Sequence, residues 1–330
     1  MPTTAAKKKR APRERASTRK QIPSSAPWTL RRAGGLRILE APALVRLDWL
    51  VHGFSTRPGG ASKLKTLCDG REKNETVLNL GFTEWDKREC VLENRARFSA
   101  AVGASKMRVV AMRQVHSDIV HRVDAMKTAA SVNAFRNDAP QGDALFTRER
   151  GVLLVVQTAD CIPIVLADAR HRAVAAIHAG WRGTLRWIAE KTLGCMKMEF
   201  GTRPEDVIAA LGPGISQCCY EVGPEVAKEF QAQFPDAREW FEGPFDALAS
   251  GENDPNWLPW LTMMPPGHQP PPPRVRLDLI AANRAILAGA GIAPGNVFSS
   301  GLCTACRPDL LFSYRRERNT GRMMAAIGIK

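Results

Sequence analysis

Three short, continuous apolar runs at 152–157, 162–167 and 173–177 follow one another with only a few residues between them. Runs of that length with no polar alternation fit strands buried on both faces. Three of them in close succession require a layered protein whose sheet is covered by helices. The covers are legible nearby. Residues 184–200 carry a helical period and end at Gly201, and 89–102, 224–234 and 277–290 repeat the type. Further strands are expected at 36–40, 45–53, 107–112, 119–123, 207–211, 297–299 and 323–329. Helices and strands mix without strict alternation. The expectation is therefore an α+β fold rather than a doubly wound sheet.

Around this body lie segments of another character. The first 33 residues hold ten Lys/Arg and one Glu, +9 of the net +14, and almost nothing apolar before Trp28. Such a stretch cannot offset its ordering entropy by burial, so 1–33 reads as a disordered basic tail and 34–330 as the folded domain. The domain itself is only mildly basic, so nucleic acid is expected only through nonspecific contact with the tail. Residues 58–78 read as a polar, glycine-punctuated loop, and 125–142 as another. Residues 235–274, with three tryptophans and a proline-rich run at 265–273, read as a long loop, either a lid or a surface excursion. No apolar run approaches the ~20 residues a spanning helix needs, and no export signal follows the basic tail. The eight cysteines are expected as reduced thiols, and the chain in the cytoplasm, free of the membrane. Monomer and homodimer both remain open.

Three segments place a chemically active side chain at a strand end: RQVHSD at 113–118, QTADCIPIVLAD at 157–168 and AAIHAGWRGT at 175–184. If their strands are neighbours, His116, Cys161 and His178 converge. One thiolate and two imidazoles make a three-ligand zinc set with a fourth position open. The same trio without metal is a Cys–His nucleophilic pair, and the bland alternative is three core or surface residues. Spacings of 45 and 17 residues match no compact zinc motif. Cys303-Thr-Ala-Cys306 is a lone CxxC that lacks the two further ligands a structural zinc needs, and Cys218-Cys219 sits in a Gly/Pro-rich turn.

The chain also resembles the bacterial laccase-domain family, known too as multicopper polyphenol oxidase-like or peptidoglycan editing factor proteins. The resemblance runs from about Leu50 to the C-terminus through many ordered blocks. The earlier ones are HGFSTRPGGAS (52–62), LNLGF (78–82), ENRARF (93–98), GDALFT (142–147) and the three segments above. The later ones are LGPGISQCCYEVGPEV (211–226), LDLIAANRAIL (277–287), CT (303–304) and LFSYRRERNTGRMMAAIG (311–328). It implies a single mixed-sheet domain with α/β/α-type layering, the laccase-domain, cysteine-hydrolase-like fold, and purine nucleoside phosphorylase activity with adenosine deamination. It further implies a metal site at His116, Cys161 and His178, and a substrate pocket lined by Arg57 and Asn79. The long charged segment after GGAS, the proline-rich run and the basic tail depart from the family pattern.

Phosphorolysis needs an anion cradle, for which Arg57 and Arg182 are candidates because guanidinium forks match phosphate oxygens. Arg315, Arg316 and Arg322 are weaker candidates, since charge runs near a C-terminus are usually solvated. Deamination needs an activated water, which zinc supplies better than copper here, and a general acid/base. Asp143 and Asp160 stand nearest in the motifs, while Gln114 and Asn79 are placed to bind ribose or base. The expected partners are purine nucleosides and phosphate. Copper-dependent phenol oxidation would need several histidine-rich sites, and the six histidines are scattered. A cysteine hydrolase editing peptidoglycan precursors is the main rival, since Cys161 and a histidine serve either chemistry.

Overall fold

A computed structural model describes residues 27–68, 71–124, 139–243 and 274–330. Most of the expected tail, the 125–138 part of the second polar segment and most of the long proline-rich loop lie outside these residues. The chain folds as α+β, but its strands divide between two six-stranded sheets rather than one. In the first sheet the order is Thr29–Ala33, Leu36–Glu40, Leu50–Ser55, Met323–Ile329, Val152–Thr158 and Arg108–Val110. In the second it is Val297–Ser299, Val207–Leu211, Ile162–Asp168, Ala173–Ala179, Ala144–Thr147 and Val120–Arg122.

Strand periodicity explains the layering. Along Val152–Thr158, Val152, Leu154 and Val156 point into a core shared by both sheets, while Leu153 and Val155 face the helix Arg88–Ala101. Along Ile162–Asp168, Val165 and Ala167 join that shared core, and Ile162, Ile164 and Leu166 face the helices on the other side. Both faces of each strand are dry, which is why alternation was invisible in the sequence. The result is helix, sheet, sheet, helix. The helix Ile188–Phe200 buries Ile188, Ala189, Thr192, Leu193, Met196 and Phe200 as one stripe and stops at Gly201, whose φ of 70° suits a residue without Cβ. Leu279–Gly289 is capped by Asp278, whose side chain accepts from the Ala281 N–H at 2.8 Å.

Three expectations change. Thr29–Ala33, placed in the tail, is an edge strand paired along its length with Leu36–Glu40. Residues 58–78, read as loop, are an antiparallel pair, Pro58–Cys68 with Arg71–Val77. Its polar residues concealed the strand pattern, although the intervening Asp69-Gly70 is a strong hairpin dipeptide. The single helix expected over 184–200 is two, Trp181–Leu185 and Ile188–Phe200, broken where Trp187 takes a left-handed φ of 62° and lays its ring on Phe234 at 4.6 Å. Of the long loop, the described part begins with a 3-10 turn, Ala237–Trp240, and a short strand, Phe241–Glu242.

His52 is a core group here, not a pocket residue. It is 5% exposed, and its Nε2 accepts the Ala41 N–H at 3.0 Å. Burial, helped by the nearby charge of Arg31, lowers its pKa from 6.5 to about 4. The unfolded chain therefore binds the extra proton first as pH falls. This contribution is complete above pH 6.5 and is lost as pH drops towards 4, about 3 kcal/mol in all. Denaturant titrations at pH 7 and 4.5 are expected to show this loss, and His52→Gln to flatten it; an unchanged slope in the variant would reject the assignment.

Candidate metal centre and active-site cavity

Antiparallel pairing brings the trio together. Cys161 immediately precedes Ile162–Asp168, His178 lies near the end of Ala173–Ala179, and the register sets Pro163 opposite His178. The start of one strand and the end of the next thus share one sheet end. Asp143 joins them there, because it precedes Ala144–Thr147 and its carbonyl accepts the His178 N–H at 2.7 Å. His116 arrives from the turn that links the two sheets, held at a left-handed φ of 58°. Nε2 of His116 lies 3.9 Å from Cys161 Sγ, and the two imidazoles meet edge to face at 4.9 Å.

Asp143 is the hub of this end. Fully buried, it accepts from the backbone N–H groups of Val115 (3.3 Å), His116 (3.1 Å) and Ser117 (2.6 Å), from the Ser117 hydroxyl (2.7 Å) and from His178 Nδ1 (2.8 Å). That last bond fixes the His178 proton on Nδ1 and leaves Nε2 free to ligate. A carboxylate behind a ligating histidine is the usual arrangement around bound metal. One donor atom from each of His116, Cys161 and His178 lies within 4.8 Å of the others, so the three fit one ion.

Without an ion the same groups form a charged cluster. Burial raises the Cys161 thiol, but His178 and His116 outweigh it and hold Cys161 at about 6. Burial lowers His178, yet Cys161 and then Asp143 bring it up to about 9. Burial likewise works against the Asp143 carboxylate, and the bonds from His178 and Ser117 still bring it down to about 2. Gly180 makes the crowding possible, since a Cβ there would stand 3.0 Å from Cys161 Sγ and 3.2 Å from His116 Cδ2. Gly180→Ala is expected to leave the fold intact and cut turnover about 10-fold or more by spreading the donors; equal metal content and activity would show that the neighbours yield freely.

The trio sits in the wall of a cavity of about 740 Å³, within the size range of small-molecule sites. Phe82, Tyr220 and Tyr314 supply rings to it, and Arg113, Arg315, Arg318 and Arg322 supply positive charge. Burial raises the Tyr220 phenol, so it stays protonated and able to donate. His116, Asp160 and Arg318, all lining the cavity, are three of the five non-glycine residues held at positive φ among the described residues. Such backbone strain gathers where geometry serves a site. A separate cavity of about 420 Å³, between the helix Arg88–Ala101 and the first sheet, has no histidine, cysteine or carboxylate in its lining.

The expected substrate residues distribute differently. Arg57 is buried and paired with Glu75 at 2.9 Å and with Glu317, under the Phe312 ring, and does not line the cavity. Asn79 is fully buried, and its Oδ1 accepts the Arg322 N–H at 2.9 Å. Asp160 accepts the Arg315 N–H and the Thr304 hydroxyl, both at 2.6 Å. Arg57, Asn79 and Asp160 thus hold the arm at 313–322 that carries the cavity arginines. Asp143 is fully buried, bonded to His178 Nδ1, and does not line the cavity. Gln114 does line the cavity, though both ends of its amide are bonded to the Gln157 backbone at 2.7 Å. Arg182 is exposed over its neighbour Trp181, outside the lining. Reasoning from sequence undervalued Arg315 and Arg322, and missed Arg318, Tyr220, Tyr314 and Phe82 as pocket residues.

Comparison with known proteins follows the same lines. Residues 51–330 match the family described as multi-copper polyphenol oxidoreductase laccase. A purine nucleoside phosphorylase of Deinococcus radiodurans is 37% identical over 299 residues, covering 90% of this chain and 94% of the relative. Adenosine deaminase RL5, of an unknown prokaryotic organism, is 33% identical over 84% of this chain and 93% of its own length. The crystal structure of the hypothetical protein YfiH from Bacillus licheniformis superposes with a TM-score of 0.73 at 28% identity, covering 92% of this chain and all of that one.

Proposed function

This chain belongs to the multi-copper polyphenol oxidoreductase laccase family, and from its site we propose that it is a purine nucleoside phosphorylase with adenosine deaminase activity at a His116–Cys161–His178 zinc centre. The observation that carries the reading is one cavity holding three things together: the donor trio, four arginines and three aromatic rings. Phosphate, a flat base and a metal each have a matching wall. Relatives named as a purine nucleoside phosphorylase and an adenosine deaminase support it. Copper oxidation finds less support, because among the described residues a single potential metal cluster contains histidine.

In phosphorolysis a phosphate oxygen bonds to ribose C1′ as the C1′–N9 bond breaks. The bonding pair leaves with the base, which takes up one proton, so adenosine or inosine yields free base and ribose 1-phosphate, and methylthioadenosine yields adenine and methylthioribose 1-phosphate. Arg315, Arg318 and Arg322 bind the phosphate and counter its charge. Phe82 and Tyr314 offer apolar ring surface to the flat base, while the protonated Tyr220 donates a hydrogen bond to it as it departs. In deamination, water adds at C6, the C6–N bond to the amino group breaks, and ammonia leaves to give inosine. A zinc ion bound by the trio supplies Lewis acidity towards water or a substrate heteroatom. Asp143 keeps His178 oriented throughout. No helix among the described residues is long and apolar enough to cross a membrane, and we place the enzyme in the cytoplasm.

The experiment is product analysis with adenosine, with and without phosphate. Adenine formed only with phosphate, and inosine formed without it, are the expected results. No product from adenosine, inosine or methylthioadenosine would overturn the reading and favour a cysteine hydrolase at Cys161.

A further inference from the structure

The CxxC at Cys303 and Cys306 is not alone. The second metal-competent group among the described residues joins it to Cys218 and Cys219, all four Sγ atoms lying within 4.8 Å of one another. Cys219 and Cys306 are 3.4 Å apart, Cys218 and Cys306 3.6 Å, and Cys218 and Cys219 3.7 Å. A zinc ion with Zn–S bonds of about 2.3 Å sets its sulfurs roughly 3.8 Å apart at the tetrahedral corners, so the observed spacing needs only small adjustment. Such mutual closeness fits one ion, and is too tight for a four-iron cluster whose ligand sulfurs surround a larger body. Cys303, the buried member, accepts the Ser216 N–H at 3.4 Å and further backbone N–H groups from Ala305 and Cys306. Amides aimed at a sulfur favour its thiolate, the form that ligates. Cys218 and Cys306 are exposed, which leaves an entry path.

We propose that Cys218, Cys219, Cys303 and Cys306 bind one structural zinc ion that fastens the turn at 214–220 to the loop at 301–307. The two segments already meet, through a bridge between Gly214 and Cys303 and a packed group of Ile215, Cys303 and Ala305. The first of them lines the catalytic cavity, and the second supports that wall from behind. Ile215 and Tyr220 line it, the Ile215 N–H bonds to the Asp160 carbonyl at 2.7 Å, and Thr304 holds the Asp160 carboxylate. An ion here therefore stiffens the backbone that carries Tyr220 and Asp160, without touching substrate. All four donors are thiolates, a set that selects zinc or iron over the hard cations.

The test uses the full chain carrying Cys161→Ala, which removes the catalytic donor set, purified under reducing conditions from zinc-supplemented medium. Elemental analysis is expected to find about one zinc per chain, falling at least tenfold when Cys218→Ser and Cys306→Ser are added. The Cys161→Ala chain alone gives a second reading if the added substitutions impair folding. Iodoacetamide labelling of Cys218, Cys219 and Cys306, read by peptide mass spectrometry, should rise more than tenfold after EDTA. Zinc below a tenth of an equivalent in Cys161→Ala overturns the proposal. So does labelling that EDTA leaves unchanged, or an intact mass revealing a disulfide within the group. None of these readouts depends on nucleoside turnover, so this site and the proposed activity stand or fall separately.

Discussion

Replacing Cys161 with alanine is expected to lower turnover of adenosine by about 10³-fold or more and to strip the metal from the trio. The thiolate is one of only three protein donors, and two histidines rarely retain an ion in a site shaped for three. The fold should survive. Cys161 occupies a turn, its side chain faces the cavity, and the strand behind it keeps its full register with both neighbours. Circular dichroism and the unfolding midpoint should stay near wild type while the metal at this centre disappears. The metal reading separates two chemistries. Loss of activity together with metal supports ligation; loss of activity with metal retained would make Cys161 a covalent nucleophile, as in the hydrolase alternative. Unchanged turnover would sink the site altogether.

Legibility in the sequence followed burial. The apolar strands at 152–158, 162–168 and 173–179 announced themselves because both faces are dry, and Cys161 and His178 were visible because each stands where such a strand begins or ends. What one chain of letters could not show is which strands share a sheet: Val165 and Leu154 look alike in sequence yet belong to different sheets whose inner faces meet. Residues 63–68 and 71–77 hid as a loop because most of their side chains are polar. The arginines at 315, 316 and 322 looked like a solvated charge run, and Arg318 drew no notice. Arg315 and Arg322 face the cavity because Asp160 and Asn79, each buried and more than 150 residues away in sequence, grip their backbone N–H groups. Likewise Cys218 and Cys306 are 88 residues apart, so no local motif could pair them.

Asp143 carries the second large effect, which is expected to run through the residues it holds. It meets two orders of demand at once: three backbone amides and a hydroxyl from the 115–117 turn, and the imidazole of His178. The turn holds His116 at positive φ, a conformation uncommon for a non-glycine residue, and the Asp143 carboxylate anchors its amide there. Asp143→Ala therefore releases both histidines and leaves buried donors without partners, at about 1–3 kcal/mol for each left unpaired; a lower unfolding midpoint and failure to hold metal are expected. Asp143→Asn is the sharper probe. It keeps the volume, but its amide nitrogen can only donate, so one side of the hub is lost whichever way the group turns. Metal affinity should fall about 10–100-fold, with turnover reduced at limiting zinc and partly restored by excess. That restoration marks a positioning residue. If Asp143→Asn bound zinc as tightly as the parent and lost turnover all the same, the carboxylate would have to act on substrate directly, and its burial behind His178 would need another explanation.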